Sequence, residues 1–275
     1  MEHEFNFTQA DFDSIRQQLY TLSGIRLSES KQSMVYSRLA RRLRALNIVG
    51  FSHYLQYLKQ TPTEVEHFIN ALTTNLTSFF REPHHFRILA EHLKRHPSVK
   101  TIWCAASSTG EEPYSIAMTV AKVRQSFDSG ITIIASDIDS TVLKTAESGI
   151  YPLERLTDLS VDSRKQFFHK GRGAHNGYAR VVPELRKMVS FRQLNLLSQQ
   201  WNVRAPIDVI FCRNVMIYFD KTTQESIFKR MMSMLPKQGL YFAGHSEQFS
   251  QLKDIANLVD KTTYQPVTGC TNGRQ

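Results

Sequence analysis

Four stretches of this chain place charged or amide side chains beside small residues, in runs suited to holding a small molecule. The first is Ala105-Ala106-Ser107-Ser108-Thr109-Gly110-Glu111-Glu112-Pro113-Tyr114-Ser115. Its small residues and Gly110 let the backbone pass close to a ligand, and Pro113 suits the first position of a helix. The lysine of a phosphate loop is missing, and the adjacent Glu111 and Glu112 would repel a pyrophosphate. Carboxylates here favour a ligand carrying an ammonium or sulfonium charge; the plainer reading is a helix N-terminus carrying acid for its dipole. The second stretch is Ser136-Asp137-Ile138-Asp139. Asp137 stands where nucleoside-binding α/β sheets grip ribose hydroxyls, and Asp139 is the better helix cap. Loop and acid together point to a nucleoside cofactor, with a nicotinamide nucleotide still open on these residues alone. Third comes Asn195-Leu196, where the asparagine either reads an adenine edge or caps a turn. The fourth, Arg213-Asn214, leaves a fully apolar run, an exit that seldom carries a charge without a partner.

The elements that must position these residues show in the apolar pattern. Thr101–Ala105, Ile131–Ala135, Val189–Phe191, Ile207–Phe211 and Leu240–Ala243 are short runs rich in β-branched and aromatic residues. They alternate with helical stretches such as Pro113–Arg124 and Thr222–Leu235. Such alternation predicts a mainly parallel sheet covered on both faces, which binds ligands beyond the carboxyl ends of its strands. Between Gly149 and Val189 the turn-rich text, Lys170-Gly171-Arg172-Gly173 through Tyr178, predicts a small antiparallel insertion. The first ninety residues read as helix throughout. Apolar residues recur at helical spacing in Asp11–Leu22 and Lys31–Leu46, a third helix starts near Ser52, and a fourth runs from Glu64 to Leu72 after Pro62 as a breaker. The expected organisation is a helical domain over residues 1–73, a linker helix region over 74–98, and an α/β domain over 99–275 whose insertion covers about 150–188.

Composition narrows the classes. With 275 residues, 41% hydrophobic and 21% charged, the chain is long enough and apolar enough for a buried core, which excludes general disorder. No apolar run is long enough to span a bilayer, and the N-terminus lacks the layout of a signal peptide. Cys104, Cys212 and Cys270 are scattered, arguing against a disulfide framework and for a reducing cytoplasm. The net charge of +9 points to an acidic partner without saying which.

The four stretches, extended as Ile210 through Phe219 and joined by Gly244-His245-Ser246-Glu247 and Thr74 through Glu82, closely resemble the CheR family, the chemotaxis receptor (protein-glutamate) O-methyltransferases. The resemblance spans the chain from the helical bundle to about Tyr264. It implies an S-adenosylmethionine-dependent methyltransferase domain with a Rossmann-like α/β fold, a helical domain before it, and S-adenosylhomocysteine as product. It also implies that Asn75, Thr77 and Arg81 contact the cofactor, that Glu112 holds the methionine ammonium, and that Asp137 takes the ribose hydroxyls. Asn195, Leu196, Arg213 and Asn214 would line the adenine and methionine sides, with Tyr218 near the transferred methyl.

Methyl transfer from a sulfonium to an ionised carboxylate is an in-line displacement that asks for neither metal nor general base. Arg81 therefore reads as a positioning group for a carboxylate. For the substrate, the run Ser37 through Arg44 places Arg38 and Arg42 beside the apolar stripe, and Arg41 and Arg44 toward water. The resemblance implies docking of this face on the acidic methylation helices of chemoreceptors. Gly171-Arg172-Gly173 matches the turn with which family members bind a C-terminal receptor pentapeptide as an added strand. The expected setting is a cytoplasmic enzyme recruited to membrane-bound receptor arrays, without insertion into the membrane. His84-His85 reads as a surface pair and no metal site is expected. A nucleic-acid methyltransferase ranks below for want of a recognition fold, and a non-catalytic sensor below because Arg81 and Glu112 are present.

Overall fold

The computed structural model describes residues 4–268. Four helices, α1 (Gln9–Ser23), α2 (Gln32–Leu46), α3 (Phe51–Gln60) and α4 (Pro62–Leu72), form the N-terminal bundle. Phe12, Ile15, Leu19, Val35, Leu39, Leu43, Tyr54 and Phe68 close its core, at the helical spacings of the sequence. Thr8 and Asp11 make a reciprocal capping box at the start of α1. Pro62, expected as a breaker, is the first residue of α4, where its missing N–H has no helical partner to lose.

The rest is an α/β domain. Its elements are α5 (His84–Arg95), β1 (Thr101–Cys104), α6 (Glu111–Arg124), β2 (Thr132–Asp137), α7 (Ser140–Ser148), β3 (Ile150–Pro152), α8 (Val161–Phe167), β4 (Phe168–Lys170), β5 (Tyr178–Val181), α9 (Pro183–Lys187), β6 (Val189–Gln193), β7 (Val209–Cys212), α10 (Lys221–Met234), β8 (Leu240–Ala243), β9 (Ala256–Asp260) and β10 (Thr263–Pro266). Seven strands form one sheet in the order β6-β2-β1-β7-β8-β10-β9, parallel except for the β9–β10 hairpin at one edge. Ile102 and Cys104 of β1 pack to one face with Phe86, Leu89 and Ile116; Trp103 packs to the other with Phe228 and Met231. Both faces are thus buried, as the unbroken apolar strands require. The segment expected to be a linker helix contains α5, and Phe86, Leu89 and Leu93 make that helix part of the sheet's own core.

Strand order reverses at β1, between β2 and β7, so the loops after these strands open onto one crevice. The insertion is a three-stranded antiparallel sheet, β3-β5-β4. Among the described residues, no helix is long and apolar enough to cross a membrane. The tail expected to be disordered begins after Val267 and lies almost wholly outside the described residues.

Candidate active site

The crevice encloses about 980 Å³ of space, open solvent at its mouth included. Every residue assigned above to cofactor or catalysis lines it: Asn75, Thr77 and Arg81 from the segment between the domains, Glu112 and Asp137 from the first two strand ends, Asn195 and Leu196 after β6, and Arg213, Asn214 and Tyr218 after β7. The parallel sheet brings together residues up to 106 positions apart, Glu112 and Tyr218, because every one of these strands ends on the same edge.

One end of the crevice is an acidic cluster around a single buried guanidinium. Arg213 Nη1 lies 2.6 Å from Glu112 Oε2, and Nη2 lies 3.4 Å from Glu82 Oε2 while donating to the Arg81 carbonyl. The Cys104 thiol donates to Glu112 Oε1. Burial pushes the Glu112 carboxyl up, against the pull of Arg213. The charge at the exit of β7 therefore has its partner, and Glu112 still faces the crevice. Pro113 is the third residue of α6, not the first as expected; Gly110, at φ 99°, precedes the helix and brings its backbone where a side chain would strike the Tyr151 hydroxyl.

A second buried acid of the lining is Asp137. Its Oδ2 accepts from the Ser108 N–H at 2.8 Å and its Oδ1 from the Asp139 N–H at 3.0 Å. Burial pushes this carboxyl up to about 6. Asp139 is the helix cap that its position suggested, accepting from the Thr141 and Val142 N–H groups. Its second oxygen accepts from Thr73 Oγ1 and Asn75 Nδ2, so the Asn75 amide is held against the start of α7 while its residue lines the crevice. Of the two readings of Asn195, the structure takes the turn cap: Oδ1 accepts from the Leu197 N–H, and Nδ2 donates to the Leu22 carbonyl. Arg81 donates to the Leu76 carbonyl, and the Tyr218 carbonyl accepts from the Arg26 N–H.

Three features escaped the sequence. Ser23, the last residue of α1, and Ile25 and Leu27 just after it wall the crevice, so the helical domain contributes to the site. Glu247 is buried and accepts from the Gly244, Asn214 and Met216 N–H groups, pinning the loop after β7 to the loop after β8. Glu82 binds Asn214 Nδ2 and the His245 N–H as well as facing Arg213. Both glutamates sat inside recognised motifs, yet nothing in their spacing told of the burial of Glu247 or the partial burial of Glu82. His84-His85 needs correction: His85 is fully buried, with Nε2 against the Lys261 carbonyl and Thr262 Oγ1, because α5 turns that face into the sheet. Ligand-type atoms of Glu82, His84 and His85 lie within 4.8 Å of one another, with His85 Nε2 already engaged by the Lys261 carbonyl and the Thr262 hydroxyl.

The arginines of α2 divide differently from the expectation of four docking groups. Arg38 donates to the Ala71 and Thr73 carbonyls, and Arg42 forms a two-point ion pair with Glu64, which also accepts from the Tyr54 hydroxyl. Both are spent inside the bundle because they border its apolar stripe. Arg44 pairs with Glu4 at the surface, and Arg41 is exposed with its Nε directed at its own helix. Gly171, Arg172 and Gly173 lie away from the crevice in the turn after β4; a side chain at Gly171 would fall 2.0 Å from the His175 carbonyl, and Gly173 has φ 57°.

Chemically, the crevice offers two buried carboxylates, Glu112 and Asp137, among apolar and backbone surface. That donor set fits a group that carries both a cation and a vicinal diol. Comparison with known proteins agrees. The family descriptions "CheR methyltransferase, all-alpha domain" and "CheR methyltransferase, SAM binding domain" match residues 10–73 and 75–265. The chain is 51% identical over 267 residues to chemotaxis protein methyltransferase 2 of Pseudomonas aeruginosa, covering 96% of this chain and 95% of that protein. It is 50% identical to the chemotaxis protein methyltransferase of Salmonella typhimurium (96% and 92% covered) and 48% identical to that of Escherichia coli (96% and 93% covered). Helical bundle, strand order, acidic crevice and near-full-length identity converge: the chain belongs to the CheR methyltransferase family, whose members use S-adenosylmethionine.

Proposed function

We propose that this chain esterifies glutamate side chains of chemoreceptor cytoplasmic domains, producing glutamate methyl esters and S-adenosylhomocysteine. The observation that carries the reading is the convergence of Glu112 and Asp137 on one crevice, beside Arg81 and Tyr218 at its lining. S-adenosylmethionine supplies the electrophilic methyl. Glu112 receives its ammonium, Asp137 its ribose hydroxyls, and Leu196 with the backbone at Asn195 its base. The Asn75 and Thr77 segment closes over it, and Arg213 and Asn214 shape the amino-acid end. Arg81 and Tyr218 align the incoming carboxylate and keep water from it, since a nucleophile already ionised at neutral pH needs orientation and desolvation more than activation.

Arg41, with Arg44 beside it, is the surface offered to the acidic methylation helices. The edge strand β4 and the Gly171–Gly173 turn offer backbone groups to a receptor C-terminal pentapeptide as an added strand. Such a tether raises local substrate concentration and holds the enzyme at receptor arrays from the cytoplasm. The test incubates the protein with radiolabelled S-adenosylmethionine and either receptor-containing membranes or RNA. Base-labile label on receptor protein supports the ester; label on RNA overturns it.

A further inference from the structure

We infer that Glu82 is a positioning residue that sets the charge of the amino-acid end of the crevice by sharing Arg213 with Glu112. The inference rests on the reading of Glu112 as the receiver of the donor's ammonium. By itself, Glu112 at 2.6 Å from Arg213 is a neutral pair, and a neutral pair attracts an ammonium weakly. Glu82 places a second carboxylate 3.4 Å from the other terminal nitrogen of the same guanidinium. Two carboxylates on this one buried cation leave a negative excess to meet the donor's ammonium, while the charge of Arg81, which also reaches Glu112, is left for the donor's own carboxylate.

His85, with Nδ1 3.6 Å from Glu82 Oε2, is held neutral by burial and then by Arg213, its pKa pushed down to about 3, so it adds no competing cation. Burial pushes the Glu82 carboxyl up, but Arg213, the His245 N–H and the Asn214 amide more than offset it and hold the group below its ordinary range. Glu82 Oε1 takes both of those hydrogen bonds, leaving Oε2 without any donor and free to face Arg213 by charge alone. Glu82 does not line the crevice, so its influence passes through Arg213.

Calorimetry with two ligands tests this. S-adenosylhomocysteine carries the amino-acid end; 5′-methylthioadenosine keeps the nucleoside and thioether but lacks that end. Glu82→Gln should weaken S-adenosylhomocysteine about tenfold while moving methylthioadenosine less than about twofold, and Glu82→Asp should recover most of the loss. Equal weakening of both ligands would mean a structural role, and no weakening of either would mean no role; both overturn the inference. Should Glu82→Gln fail to fold, Glu82→Met is judged by the same ratio. Glu112→Gln separates the two readings: if it fails to discriminate the ligands, the ammonium assignment falls, whereas selectivity lost in Glu112→Gln but kept in Glu82→Gln sinks only the inference about Glu82.

Discussion

Replacing Asp137 with asparagine should separate what this residue does for the methyl donor from what its charge costs the fold. Burial raises its carboxyl from 3.8 to about 6, and each pKa unit corresponds to about 1.4 kcal/mol. Keeping it ionised above that range therefore costs the folded protein on the order of 3 kcal/mol. The sign follows from the raised folded-state value: the contribution of Asp137 to stability is fully present below about pH 4 and is lost as pH rises through about 6. Asparagine removes that slope. It also turns an NH₂ toward one of the two N–H groups, of Ser108 or Asp139, that the carboxylate accepts from, a mismatch costing about 1–3 kcal/mol. The two effects nearly cancel, so stability near neutral pH should stay within about 2 kcal/mol of the parent. Donor affinity has no such compensation. Losing a charged acceptor for the ribose hydroxyls removes on the order of 3 kcal/mol, raising Kd roughly a hundredfold. Calorimetry with S-adenosylhomocysteine and urea unfolding at about pH 4.5 and pH 7.5 measure both quantities. Binding within about fivefold of the parent would refute the placement of the ribose on Asp137.

Arg42→Ala should destabilise the helical bundle by about 2–3 kcal/mol, less than a fully buried pair because Arg42 is 24% exposed while Glu64 is 3% exposed; a lower urea midpoint checks it. Arg41→Ala should leave the urea midpoint unchanged and raise the KM for receptor severalfold at low salt, with the difference shrinking as salt screens the contact; methylation rates across a salt series measure it. Gly171→Ala should abolish binding of the receptor pentapeptide without altering donor affinity, since the turn must shift to clear the His175 carbonyl; calorimetry with each ligand decides.

The parallel core was legible because strands buried on both faces carry unbroken apolar text, as in Val209–Cys212, and because the strand ends carried acids and amides that α/β sheets use at ligand sites. The β9–β10 hairpin was not, because an edge strand need not alternate: of β9 only Ala256 is buried, and Leu258 and Val259 face outward. Side-chain allegiance was the harder part. Arg38, Arg41, Arg42 and Arg44 look alike in the sequence, and only the packing of α4 decides that the first and third are consumed internally. Glu64, the partner of Arg42, is 22 residues from it and indistinguishable by type from any surface glutamate.

These internal arginines change how the two domains relate. Arg38 grips the carbonyls of Ala71 and Thr73; the Thr73 hydroxyl reaches Asp139; and the Asp139 N–H donates to Asp137. The helix whose outer face bears Arg41 is thereby tied, through one hydrogen-bonded series, to Asp137 in the crevice. Tyr20 to Asp220, Leu22 to Asn195 and Arg26 to Tyr218 add a second set of ties, from the end of α1 to the loops after β6 and β7. A bundle that served only to dock a receptor would need none of these. With Ser23, Ile25 and Leu27 walling the crevice, the bundle is part of the crevice itself, and Arg38 ties α2 to the end of α4 and the segment that follows it.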